Sequence, residues 1–100
     1  MSYSHPLFSI IDAIVTNQTK AFTSHDIITI LIKNHSDTWD NFVNQYTGNR
    51  RVQEQKAIQQ IGCYLSRNAN CLNLTKGEKI KPSSIIHKPQ QTTKYTPNSN

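Results

Sequence analysis

Residues able to do covalent or metal chemistry are few in this chain and thinly spread. His25, Asp26, Asp37 and Asp40 are the only clustered polar candidates for catalysis. They fall beside Thr23, Ser36 and Thr38, where a carboxylate can return a hydrogen bond to a helix cap or answer the positive end of the helix. No Gly-rich phosphate loop, nucleophile elbow or paired-carboxylate motif accompanies them, so no catalytic residue and no enzyme is expected. Cys63 and Cys71 are separated by seven residues without a CxxC, and His5, His25, His35 and His87 do not fall at zinc-ligand spacing around them. The expectation is two reduced thiols, one near a helix surface and one entering a strand, with no metal and no cofactor.

What remains is the chemistry of recognition. Residues 1–49 hold two lysines against four aspartates, a net −2, whereas residues 50–100 hold nine lysines and arginines against two glutamates, a net +7. A chain polarised in this way can present one face to a polyanion, where neutralised phosphates release their counterions. Between about residues 53 and 69, Ile58, Ile61 and Leu65 mark the inner stripe of a helix. At about 100° per residue, the opposite side carries Gln53, Lys56, Gln60, Cys63 and Arg67, with Gln59 and Tyr64 flanking and no acid. Glutamine can bond adenine through two hydrogen bonds, and arginine or lysine can bond guanine or phosphate. Arg50 and Arg51 stand in the turn-rich loop before this helix, and Lys76, Lys79, Lys81 and Lys88 come after it. All twelve of these residues other than Cys63 are candidate contacts to double-stranded DNA. Gly62 lies beside the inner stripe, where glycine costs about 1 kcal/mol relative to alanine, so close approach of a neighbouring helix is expected there.

The elements that must position these groups can be read from periodicity. Leu7, Ile10, Ile11, Ile14 and Val15 predict a first helix over about 4–17, and Ala21-Phe22 a short link or minimal strand. Thr23 with Asp26 three residues on predicts a capping box that opens a second, central helix rich in isoleucine. Ser36-Asp37-Thr38 predicts another cap, followed by a short helix with Trp39, Phe42, Val43 and Tyr46 on one face. That spacing favours core; exposed instead, the three aromatics would form a patch for a protein partner. After the long helix, Cys71–Thr75 alternates like a half-buried strand, residues 76–91 read as a long basic loop, and Thr92–Thr96 can return as the partner strand. Apolar residues make up 35% of 100 residues, enough for one core and no more. No signal peptide is seen, and the run Ile27–Ile32 is far shorter than the roughly 18 to 20 residues of a membrane span, so a soluble cytoplasmic protein is expected.

Ala21-Phe22-Thr23-Ser24-His25-Asp26-Ile27, then Ile58-Gln59-Gln60-Ile61-Gly62-Cys63-Tyr64-Leu65, then Leu72-Asn73-Leu74 resembles the winged-helix domains of small phage and prokaryotic DNA-associated proteins, over roughly residues 5–96. The resemblance implies a mainly α winged helix-turn-helix, with three to four helices and a two- or three-stranded antiparallel sheet. It also implies a supporting second helix, a helix that reads the major groove, and a wing on the DNA backbone. The domain is expected over residues 1–96, with a wing loop at about 76–91 and a frayed tail at 97–100. A small transcriptional regulator or DNA-associated accessory factor follows, with double-stranded DNA as its partner and room for a homodimer or a protein partner, and with no membrane. The alternative is a winged-helix adaptor that binds protein without reading DNA.

Overall fold

The computed structural model describes residues 5–80 and 92–98. Helix α1, Pro6–Thr16, opens with a proline whose missing N–H is no loss in a first turn, and the His5 Nδ1 accepts from the Leu7 amide at 3.0 Å. Its stripe of Leu7, Ile11 and Val15 is buried, as the spacing predicts, and Phe8 is buried beside it. Strand β1 is only Phe22–Thr23 and leads directly into helix α2, Ser24–Asn34. Both halves of the predicted capping box form: the Asp26 amide donates to Thr23 Oγ1 at 3.4 Å, and the Thr23 amide donates to Asp26 Oδ2 at 2.9 Å. Ile27, Ile28 and Leu31 place α2 in the centre of the core.

Helix α3, Ser36–Asn44, has His35 as its N-cap and no side-chain cap bond, so the predicted Ser36–Thr38 cap is not used. Packing holds this helix instead. Trp39 is 3% exposed, Phe42 and Val43 are buried, and Phe42 meets the rings of His5, Phe8 and Tyr46 edge-on at 5.2 to 5.5 Å. Trp39 and Phe42 therefore belong to the core, and Tyr46 packs against it, partly buried.

Helix α4, Arg50–Asn68, begins three residues earlier than the periodicity suggests. Gly48 takes φ 110 in the preceding turn, and the Asn49 side chain accepts from the Val52 amide at 3.0 Å, which sets the start. The chain then makes a further turn through Asn73, at φ 61, before strand β2, Leu74–Ile80. The alternating Cys71–Thr75 segment is thus mostly turn, and Cys71 stands exposed before the strand. Conversely, Lys76–Ile80, expected as loop, is strand. It pairs through its backbone with strand β3, Thr92–Pro97, and a register irregularity falls between Lys76 and Lys79. At Gly77 an added Cβ would lie 3.1 Å from the Lys94 carbonyl oxygen, so glycine permits the close strand approach there.

The sheet order is β1-β3-β2, antiparallel throughout, with Phe22 opposite Tyr95 on one side of β3 and Lys76 opposite Tyr95 on the other. β3 continues through Pro97, one residue past the expected strand end at Thr96, and the Asn98 amide donates to the Asn73 carbonyl at 2.9 Å. The expected helix start at Ser4, most of the expected wing loop and the last two residues of the expected tail lie outside the described residues. The fold is mainly α with a small β-wing, in an order and strand pairing compatible with a winged helix-turn-helix.

Candidate nucleic-acid interface

Helix α4 is the longest element, and its burial decides which side chains are available to a ligand. The buried positions are Ala57, Ile61, Tyr64, Leu65 and Ala69, while Ile58 is only partly covered. The inner stripe is therefore rotated toward Ala57 and Tyr64 relative to the one predicted from Ile58, Ile61 and Leu65. Tyr64 moves from the candidate contact face to the core. It is 8% exposed, its hydroxyl donates to Asp12 Oδ1 at 2.6 Å, and its ring lies 4.7 Å from that of Phe8. Burial first, then the bond to Asp12, pushes its phenol well above the ordinary value. Tyr64 joins α1 to α4 and is not placed to touch DNA.

Three further candidates are engaged within the protein. Arg50 donates to Asp40 Oδ1 at 2.6 Å and to Asn44 Oδ1 at 3.2 Å, and its Nε lies 3.4 Å from Glu54 Oε2. This clasp fastens α3 to the first turn of α4. Gln53 is half-buried and donates to the Tyr46 carbonyl at 2.8 Å. Lys56, although exposed, points its Nζ at the Thr47 carbonyl and hydroxyl, at 3.3 and 3.4 Å. Together they hold the loop between α3 and α4 instead of standing free.

Arg51, Gln59 and Arg67 are exposed on α4, and Gln60 is half-buried. The exposed Gln55, one turn before Gln59 on the same face, belongs with them. The sequence hides Gln55, because a stripe centred on Ile58 turns it away from the outward side. The only acid in α4 is Glu54, which pairs with Arg50, so the outward face carries none. Gly62 does not serve a close helix crossing, since an added Cβ would meet nothing within 4 Å.

Lys76 is exposed on β2. The Lys79 backbone pairs with Thr93, but its side chain, like Lys81 and Lys88 entirely, lies outside the described residues. The wing is seated on the helices through Tyr95, buried to 2% exposure beside Phe22. Its hydroxyl lies beside Ser66 of α4 and Thr93, and burial raises its pKa above the ordinary value. Between the last turn of α4 and the root of the wing is an open groove of about 410 Å³. Ser66, Arg67, Asn70, Thr75, Lys76 and Asn98 line it, with Ala69 and Leu74 beneath.

Two of the acids considered for catalysis serve the structure itself. Asp26 caps α2, Asp40 pairs with Arg50, and burial lowers the His25 pKa against the opposing pull of Asp26. Among the described residues, no group of three or more His, Cys, Asp and Glu could hold a metal ion, and Cys63 and Cys71 are free thiols. None of the described helices is long and apolar enough to cross a membrane. No family model matches the chain, and no curated protein and no solved structure matches it either.

Proposed function

We propose that this chain binds double-stranded DNA, with α4 entering the major groove and the β2–β3 wing lying along the backbone, as a small transcriptional regulator or DNA-associated accessory factor that acts by binding and not by catalysis. The observation that carries the reading is the outward side of α4, where Gln55, Gln59 and Arg67 are exposed and no acid is present, with the exposed Arg51 on its flank in the first turn. Glutamines one helical turn apart suit base edges, and cations at the two ends of the helix suit the flanking phosphates. The element order supports it further, because the basic wing follows α4 at once. Lys76 projects from the root of that wing. The excess positive charge of the second half adds a sequence-independent attraction to the duplex.

The test is titration of a labelled random duplex at several salt concentrations. Affinity falls steeply as salt rises if several phosphates are neutralised. A flat salt response overturns the reading.

A further inference from the structure

The cations near α4 are of two kinds. Arg50 and Lys56 are spent on contacts within the protein. The side chains of Arg67 and Lys76 have no hydrogen-bond or ion-pair partner among the described residues, and both line the groove between the end of α4 and the root of the wing. One brings a planar fork of donors and the other a compact point charge. Among the described residues no acid lines this groove.

The negative end of a helix ordinarily weakens such a place, but the Asn68 carbonyl in the last turn of α4, and those of Ala69 and Asn70 just past it, are already engaged. The carbonyls of Asn68, Ala69 and Asn70 accept from the amides of Leu72, Leu74 and Asn73 at 2.9, 2.8 and 3.1 Å. The opposite rim is braced by Asn98. Its Nδ2 donates to Asn73 Oδ1 at 3.2 Å, and its Oδ1 accepts from the Thr75 hydroxyl. A recess held open by its own hydrogen bonds, with two unpaired cations at its edge and hydroxyl and carboxamide groups around them, has the chemistry of an oxoanion seat.

We propose that this groove binds a phosphate group through Arg67 and Lys76. The phosphate can belong to the nucleic-acid backbone or to a free nucleotide or polyphosphate, whose terminal groups offer the same oxygens. The seat shares Arg67 and Lys76 with the duplex reading, and the backbone source of the phosphate rests on that reading, whereas a free phosphate compound does not.

Amide spectra of the full chain recorded during titration with inorganic pyrophosphate at low salt test the proposal. The amides of Ser66, Arg67, Asn70 and Lys76 should shift and saturate. The double variant Arg67→Ala, Lys76→Ala should lose that response, while Lys33→Ala, which removes a charge from α2, should keep it. Both mutated groove residues are exposed, and a circular-dichroism melt checks that the fold survives. No saturable shift in the groove, or an equal loss in Lys33→Ala, overturns the proposal. The duplex titration separates the sources. A salt slope smaller by about two in the double variant assigns a backbone phosphate, and an unchanged slope with pyrophosphate still bound by the unaltered chain assigns a free phosphate compound. Duplex binding without any pyrophosphate response defeats the groove alone, and the reverse defeats the duplex reading alone.

Discussion

Gly62 is the residue whose type is least explained by the interior of the protein. It sits within a regular helix, has no φ that demands glycine, and faces open space where a methyl group would fit. Gly62→Ala should therefore raise stability by about 0.5 to 1 kcal/mol in a urea melt, by removing backbone entropy from the unfolded chain. A loss of stability would show that something packs against this position. Tyr64 is the opposite case, a side chain that looks like a contact residue and serves the core. Tyr64→Phe keeps the ring against Phe8 but gives up the bond to Asp12, so stability should drop by about 1 to 3 kcal/mol while duplex affinity at permissive temperature stays the same. An affinity loss in a folded Tyr64→Phe protein would return the residue to the interface. Of the exposed pair, Gln59→Ala should cost about 1 to 3 kcal/mol on a preferred site and little on random duplex, whereas Arg67→Ala should weaken both, as equilibrium binding to the two duplexes would reveal. Equal effects on both duplexes would remove Gln59 from base recognition.

At the scale of elements, the clasp between α3 and α4 sets how many cations the interface can offer. Asp40→Asn removes one partner of an exposed ion pair, which should change stability by less than about 1 kcal/mol. Arg50 keeps its contacts with Glu54 and Asn44, so duplex affinity should rise only slightly and the salt slope should steepen by less than about one. Weaker binding in that variant would mean that the clasp positions α4. Such a clasp is invisible to periodicity, because Arg50 and Asp40 meet only after α3 has folded back on α4. The features that were legible in the sequence are local ones. Thr23 and Asp26 lie within one turn of each other, and the stripe of Leu7, Ile11 and Val15 is uninterrupted. The phase of α4 was harder to read because its buried face includes Ala57 and the polar-tipped Tyr64, and its partly exposed side includes Ile58. Strand β2 was harder still. Lys76, Gly77, Glu78 and Lys79 carry no apolar pattern, and their pairing with β3 depends on the backbone.

For the molecule as a whole, pH acts on stability through His25. It lies in the first turn of α2, partly buried, and burial lowers its pKa; the positive end of the helix acts in the same sense. The folded state thus prefers neutral imidazole, while the unfolded chain takes up its proton at the ordinary value of 6.5. Between those two values the unfolded state binds more protons, so stability is lost as pH falls below the unfolded value and levels off once pH lies below the folded one. A second acid effect must be separated from this one. The chain already carries a net +5 with its four histidines neutral, and protonating them adds self-repulsion. Salt screens that repulsion but leaves the burial of His25 unchanged. Urea melts between about pH 7.5 and 5.5, at low and at high salt, should show a loss of stability that persists at high salt in the unaltered chain. His25→Gln, which cannot titrate, should keep only the salt-sensitive part. If both proteins lose the same stability at high salt, the dependence arises elsewhere than at the entrance to α2.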